Sequence, residues 1–216
     1  MKKLRLVVGD DHAIMRQGLR KILEGRPEWT IVAEAGDGRA AVRDVLAFEP
    51  DVAVLDIGMP LLNGIEATAQ IVRRLPSVGV LILSMHDDHA YITRAVRAGA
   101  RGYLLKDAAG ADLIHAIEAV AAGTSFLSPS VTKVLLDEYL KETANHGVTD
   151  RYDLLSARER EVFQLVVEGH STRRIADVLS LSAATVDTHR ARILEKLDVR
   201  NTAELVRFAV RHGLVS

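Results

Sequence analysis

Residues 51–67 read DVAVLDIGMPLLNGIEA, and this stretch sets the architecture. Val52–Leu55 is a short apolar run that stops abruptly at one carboxylate, Asp56. Gly58 and Pro60 then supply turn chemistry. Over 63–74 the apolar residues recur at helical spacing. A strand that lacks polar alternation is one buried on both faces. The segment therefore reads as a buried strand, a turn and a covering helix, with an acid at the strand's carboxyl end.

The same unit repeats on either side. Further strands are expected at Leu4–Val8, Thr30–Ala35, Val78–Ser84 and Gly102–Leu105, with helices near 13–24, 38–48, 88–98 and 110–122. In the last of these, Leu113, Ile117, Val120 and Ala121 fall on one helical face. Alternating strands and helices predict an α/β fold, a five-stranded, doubly wound parallel sheet covered on both sides. The rhythm breaks at TSFLSPS (124–130) and ETANHGVTD (142–150), with a connecting helix expected over Val131–Lys141. Beyond about residue 153 the strands cease, and helices are expected near 156–168, 171–179, 183–197 and 202–212. The expected division is one domain over 1–124, a linker over 125–151 and a smaller all-α domain over 152–216.

A chain of 216 residues accommodates two such domains without staples. Cysteine is absent, which excludes disulfide scaffolds, thiolate zinc sites and cysteine nucleophiles. Aromatics make up 4%, which disfavours base-stacking binders of single strands. The net charge of -1 hides a partition: residues 151–216 hold 11 Lys+Arg and 9 Asp+Glu, whereas residues 1–150 hold 17 and 20. That asymmetry suits an acidic-site domain joined to a nucleic-acid binder. The amino-terminal MKKLRLVVGDDH meets acid too early for a signal peptide. The apolar stretch around Val80 to Met85 is far shorter than the ~18 residues of a membrane span. A cytoplasmic protein without a membrane partner is the expectation.

In a doubly wound sheet, ligands sit beyond the carboxyl ends of the strands, where strand order reverses. Polar residues fall at those ends here: Asp10-Asp11 after the first strand, Asp56 after the third, Ser84 after the fourth and Lys106 after the fifth. Clustered carboxylates repel one another without a cation, and hard oxygen donors suit Mg²⁺. A carboxylate can also attack phosphorus to give an aspartyl phosphate. Lys106 and a metal would neutralise phosphoryl oxygens, while Ser84 would donate to one of them. Each residue alone has a plainer reading: Asp10-Asp11 as a helix N-cap pair, Asp56 as a turn residue. Their coincidence at four strand ends favours the site.

VVGDDH (7–12), DVAVLDIGMPLLNGIEA, LILSMHDD (81–88) and ARGYLLKD (100–107) resemble the signature segments of bacterial response-regulator receiver domains. The resemblance covers about residues 3–123 and implies a flavodoxin-like fold with strand order 2-1-3-4-5. It implies that a sensor histidine kinase phosphorylates Asp56. It implies Mg²⁺ held by Asp11, Asp56 and the Gly58 carbonyl, with Asp10 acting mostly through water. Ser84 and Lys106 would sense the phosphoryl group, and Tyr103 would be the aromatic that rotates inward with the Ser84 hydroxyl. Two departures stand out: Asp107 follows Lys106 where proline is common, which leaves the isomer of that bond open, and Leu61 occupies a position where glycine is frequent.

The second motif is LSARERE (155–161) followed by GHSTRRIADVLSLSAATVDTHRARILEKLDV (169–199). Ser156 with Glu159 forms a capping box, and Ser171 opens the next helix. Two short helices across a tight turn make a helix-turn-helix, whose second helix enters the major groove. The segment resembles the LuxR-type domain, and the two domains together resemble the NarL/FixJ class of transcription regulators. At 100° per residue, Val186, Ile193 and Leu197 share one side, while Ala184, Asp187, Thr188, Ala191 and Arg192 point away. Arg173, Arg174, Arg190, Arg192 and Lys196 are candidate phosphate contacts. Thr172, Thr185, Asp187, Thr188 and Ala191 complete the candidate DNA-binding set. His189 reads as a packing or phosphate-contacting residue, since no second ligand stands at metal spacing. For Asp187 two readings stay open: an acceptor for a cytosine amine, or a solvated acid paired with Arg190 or Arg192.

The last helix, TAELVRFAVRHGL (202–214), carries Leu205, Phe208 and Ala209 on one side and Val206 and Val210 on the other. The second pair is a candidate two-fold dimer patch. The expected function is a DNA-binding transcription regulator, acting as a homodimer on paired double-stranded half-sites and switched by phosphorylation of Asp56. It is not expected to be an enzyme beyond self-phosphorylation from small donors and slow self-dephosphorylation. The alternative, a Mg²⁺-dependent aspartyl-phosphate phosphatase, needs a general acid two residues past the nucleophile, where this chain has Gly58.

Overall fold

Apolar strands of period two lay their side chains alternately on two faces, and both faces here are covered. The computed structural model describes residues 3–129, 131–136, 151–211 and 214. The chain divides into two units, Met1–Lys141 and Glu142–Ser216.

The first unit runs β1 (Leu4–Gly9), α1 (Ala13–Glu24), β2 (Trp29–Ala35), α2 (Gly38–Phe48), β3 (Val52–Asp56), α3 (Gly64–Arg74), β4 (Gly79–Ser84), α4 (His89–Arg97), β5 (Gly102–Leu105), α5 (Ala109–Ala121) and β6 (Phe126–Leu127). A further helical stretch at 131–136 is α6. All strand pairs are parallel, in the order β2-β1-β3-β4-β5-β6. On one face, Val7, Ala53, Leu55, Val80, Ile82 and Tyr103 pack under α2, α3 and α4; on the other, Leu6, Val8, Val54, Leu81, Leu83 and Leu104 pack under α1 and α5. Order reverses across β1 and β3, and the carboxyl ends of these strands hold Asp10 and Asp56.

Among the described residues the sheet has six strands, not the five expected from the sequence. Phe126 and Leu127 lie within the segment read as a linker, yet they pair with Gly102 and Tyr103 of β5. Val131 of α6 is fully buried in the same core, with Leu127, Val134 and Leu135 packed against it. Burying one such valine contributes about 1.5–3 kcal/mol, so this part of the linker belongs to the first unit. A two-residue strand has too short a pattern to be read from sequence. Residues 137–141 of the expected connecting helix lie outside the described residues.

Helix starts differ from expectation by one residue where a cap intervenes. Asn63, Asp88, Ser156 and Ser171 are N-caps whose side chains accept a backbone N–H in the first turn. The β3–α3 loop also needs Gly64, because a Cβ there would stand 2.1 Å from the Asp56 carbonyl oxygen.

Among its described residues, the second unit holds a 3₁₀ turn (Arg151–Leu154) and four helices, α7 (Ala157–Val167), α8 (Thr172–Leu179), α9 (Ala183–Leu197) and α10 (Thr202–Arg211). Its interior gathers Val162, Phe163, Ile175, Leu179, Val186, Ile193, Leu197, Leu205 and Ala209. Tyr152 meets Phe163 edge-on at 5.4 Å. Ser180 turns the chain between α8 and α9 at φ 53, and Leu181 N–H closes onto the Ala176 carbonyl at 2.9 Å. Among the described residues, no helix is long and apolar enough to cross a membrane.

Candidate metal centre and nucleic-acid interface

Parallel pairing brings the carboxyl ends of β1, β3, β4 and β5 to one edge, and four of the sequence candidates meet there. Lys106 Nζ lies 2.8 Å from Asp10 Oδ2 and 3.0 Å from Asp56 Oδ2. The Lys106 N–H donates to the Ser84 carbonyl at 2.8 Å, which ties the ends of β5 and β4 together. Asp10 and Ser84 are fully buried and Asp56 nearly so. Burial pushes the Asp56 carboxyl above its ordinary value of 3.8, Lys106 pulling it back and Asp10 adding to the rise. For Lys106, burial works to lower the ammonium, but its hydrogen bond to Asp10 and the charge of Asp56 outweigh it and hold it above 10.5.

Asp10, Asp11, His12 and Asp56 each bring a ligand atom to within 4.8 Å of the others. Three carboxylates form a hard, anionic oxygen donor set, which fits Mg²⁺. Gly58 approaches from the β3–α3 loop, its N–H donating to the Asp56 carboxylate. The N-cap of α1 is His12, without a side-chain cap bond, so neither aspartate serves as that cap; Asp10 Oδ1 instead accepts the His12 N–H at 2.8 Å. Sequence reasoning passed over the His12 imidazole, whose Nδ1 stands 2.6 Å from Asp11 Oδ1. Its position beside the acid pair in VVGDDH was the available signal.

Ser84 and Tyr103 are joined through a residue that the sequence did not single out. The His86 N–H donates to Ser84 Oγ at 2.9 Å, and the His86 carbonyl accepts the Tyr103 hydroxyl at 2.7 Å. The His86 ring also stacks on Tyr91, with centroids 4.4 Å apart. Tyr103 is fully buried. Burial raises its phenol well above the ordinary 10.0, the Ser84 hydroxyl pulling the other way. Among the described residues there is no cis peptide bond, Lys106–Asp107 included, and Leu61 adopts φ 65.

Beside Lys106 opens a groove of about 380 Å³ lined by His12, Ile14, Met15, Gly18 and Met85. Ile14 is 86% exposed and Met85 71%, two apolar side chains at the mouth of a polar site.

On the second unit, Arg173, Arg174, Asp187, Thr188, Ala191 and Arg192 are all exposed. The Thr188 hydroxyl bonds the Ala184 carbonyl at 2.9 Å, and the Thr185 hydroxyl meets Ser182 Oγ at 2.8 Å. Two candidate phosphate contacts are engaged inside the unit instead. Lys196 Nζ pairs with the buried Glu159 carboxylate at 2.6 Å and donates to the Leu154 carbonyl at 3.1 Å. Arg190 bonds Thr172 and Thr202, each at 3.2 Å. The reason is reach: a long cation near a helix–helix seam finds an acceptor across it, which the spacing within one helix does not reveal. Asp187 pairs with neither Arg190 nor Arg192 and accepts from the Thr172 hydroxyl at 3.3 Å. Leu205 and Ala209 are buried, whereas Val206 is half-buried and Val210 59% exposed.

Residues 6–118 match the response regulator receiver domain, and residues 153–209 match the bacterial regulatory proteins of the luxR family. The chain is 38% identical over 225 residues to the transcriptional regulatory protein DegU of Brevibacillus brevis, covering 99% of this chain and 95% of that one. It is 35% identical over 215 residues to the oxygen regulatory protein NreC of Staphylococcus carnosus, covering 98% and 99% respectively. It is also similar to the solved structure of two RcsB dimers bound to two parallel DNAs, with a TM-score of 0.59, 27% identity, and coverage of 97% of this chain and 98% of that one.

Proposed function

This chain belongs to the two-component response regulators of the NarL/FixJ class, and from that premise we propose that it is a transcription regulator switched by phosphorylation of Asp56. The observation that carries the reading is the Lys106 ammonium shared between Asp10 and Asp56, in a chain that also bears a helix-turn-helix. An Asp56 oxygen attacks the phosphorus of a phosphohistidine on a sensor kinase; the new O–P bond forms as the P–N bond breaks and the imidazole leaves. Asp10, Asp11, Asp56 and the Gly58 carbonyl would hold Mg²⁺, which when bound supplies positive charge against the phosphoryl oxygens.

Lys106 neutralises a further phosphoryl oxygen, and Ser84 donates its hydroxyl to another. Drawing Ser84 toward the phosphoryl group would disturb its bond to His86 and, through it, Tyr103. That gives the modification two states of one element to choose between. The exposed Ile14 and Met85 around the groove offer the kinase an apolar docking surface. The α9 face with Asp187, Thr188, Ala191 and Arg192 would read the major groove, Arg173 and Arg174 would contact phosphates, and Val206 with Val210 would contribute to a homodimer on paired half-sites. That RcsB has been solved as dimers on DNA supports this arrangement. The phosphatase reading has no observation in its favour, since Gly58 carries no general acid.

The test is intact mass after incubation with Mg²⁺ and a small phosphodonor, followed by duplex binding. Wild type should gain one phosphoryl group and bind DNA more tightly, and Asp56→Asn should do neither. Equal gains in both proteins would refute the assignment.

A further inference from the structure

Asp187 is an acid on the outward face of α9, and three hydrogen bonds define its state. Thr172 Oγ1 lies 3.3 Å from Asp187 Oδ1. The same hydroxyl lies 3.2 Å from an Arg190 guanidinium nitrogen, and the other terminal nitrogen of Arg190 reaches Thr202 Oγ1 at 3.2 Å. Arginine only donates and an ionised carboxylate only accepts. The Thr172 hydroxyl must therefore accept from Arg190 and spend its one proton on Asp187. This chain of donors fixes one carboxylate oxygen. Asp187 Oδ2 has no hydrogen-bond or ion-pair partner among the described residues, and the side chain is exposed. The ion pair with Arg190 or Arg192 that the sequence allowed does not form.

We propose that Asp187 is a specificity-determining residue whose free oxygen accepts a hydrogen bond from the exocyclic amine of a cytosine in the major groove. The inference rests on the reading of the second unit as a DNA binder and adds a base to it. In the major groove guanine presents two acceptors, and thymine an acceptor with a methyl group. A carboxylate facing either meets only repulsion. Adenine offers an amine beside the N7 acceptor, whereas cytosine offers the amine alone. The carboxylate also repels the phosphate backbone at every sequence, so it weakens non-specific binding while the correct base compensates at the specific site. The Thr172–Arg190 relay holds the carboxylate in one orientation, as a base-reading group requires.

The experiment selects duplexes from a randomised library with the full-length, phosphodonor-treated protein, using wild type, Asp187→Asn and Thr172→Val. Wild type should select cytosine at one position of each half-site. Asp187→Asn keeps the size of the side chain but gains a donor, which suits the N6/N7 edge of adenine, so the preference should move from cytosine to adenine. Thr172→Val keeps the carboxylate and removes its hold, so the same preference should soften, by about five- to tenfold in relative affinity for cytosine over thymine. If Asp187→Asn fails to fold, Thr172→Val decides the matter alone. Unchanged preference in the folded variants, with a lower Tm as the only effect, would make Asp187 a helix–helix tie and overturn the proposal. A wild-type protein that selects no duplex at all would overturn the DNA-binding reading along with it.

Discussion

Lys106 and Asp56 form a 3.0 Å ion pair at the carboxyl edge of the sheet, and the same ammonium holds Asp10 at 2.8 Å. One cation thus serves two buried carboxylates, each side chain less than a tenth exposed. Removing a partner from a buried pair costs about 3–5 kcal/mol. Lys106→Ala should lose stability on that scale in urea unfolding, and Mg²⁺ should restore part of the loss by replacing the missing charge. A loss that Mg²⁺ leaves untouched would count against a shared cation site.

Tyr103→Phe removes the hydroxyl that bonds the His86 carbonyl at 2.7 Å. The folded state should lose about 0.5–1.5 kcal/mol. The more telling readout is coupling: phosphorylation of Asp56 should proceed as in wild type by mass, while the phosphodonor-induced gain in DNA affinity shrinks. An undiminished gain would remove Tyr103 from the switch.

Ile14 is 86% exposed beside the groove that leads to Lys106. Ile14→Lys should slow phosphoryl transfer from the kinase about tenfold, the size expected from losing an apolar anchor at an interface. The rate with a small phosphodonor should hardly change, because no partner surface is involved. Equal slowing with both donors would place the defect in the site itself.

Leu61 sits at φ 65 in the β3–α3 loop. The left-handed region costs an ordinary L-residue about 1–2 kcal/mol, and more if the side chain branches at Cβ. Leu61→Ile should therefore destabilise the first unit, whereas Leu61→Gly should be neutral or slightly stabilising, strain relief offsetting the roughly 0.4–1 kcal/mol of added unfolded-chain entropy. Thermal unfolding of the two variants gives the comparison.

Glu159 is nearly buried, and Lys196 holds it at 2.6 Å. Burial acts to raise its carboxyl, but the Lys196 ammonium and the Ser156 donors outweigh this and keep it below 4.5. A depressed folded value means stabilisation that is complete above the unfolded value and lost as pH falls through the folded one. Glu159→Gln keeps the capping box, since glutamine also serves at that position, and loses only the charge. Stability at pH 7 should drop by about 1–2 kcal/mol, less than for a fully enclosed pair because Lys196 is partly open to solvent. Its acid limb below about pH 4.5 should flatten relative to wild type. Parallel pH profiles would contradict the assignment.

Much of the architecture was legible because it is local. The βα alternation, the capping box of Ser156 and Glu159, and the buried face of α9 through Val186, Ile193 and Leu197 all follow from residue type and period. The carboxylates were visible too, because each falls at the end of an apolar run. β6 was missed, since Phe126 and Leu127 are too few to show a period and become a strand only by pairing with β5.

The sequence by itself determined the five longer strands, the helices between them and the chemical groups at their ends, because strand and helix periods depend on near neighbours along the chain. Tertiary structure decided the partners. Lys106 serves both Asp10 and Asp56, His86 links Ser84 to Tyr103, Lys196 goes to Glu159, and Asp187 goes to Thr172 rather than to an arginine on its own helix. Hydrogen bonds and ion pairs act over a few ångströms, so each choice depends on which side chains the packed elements bring face to face.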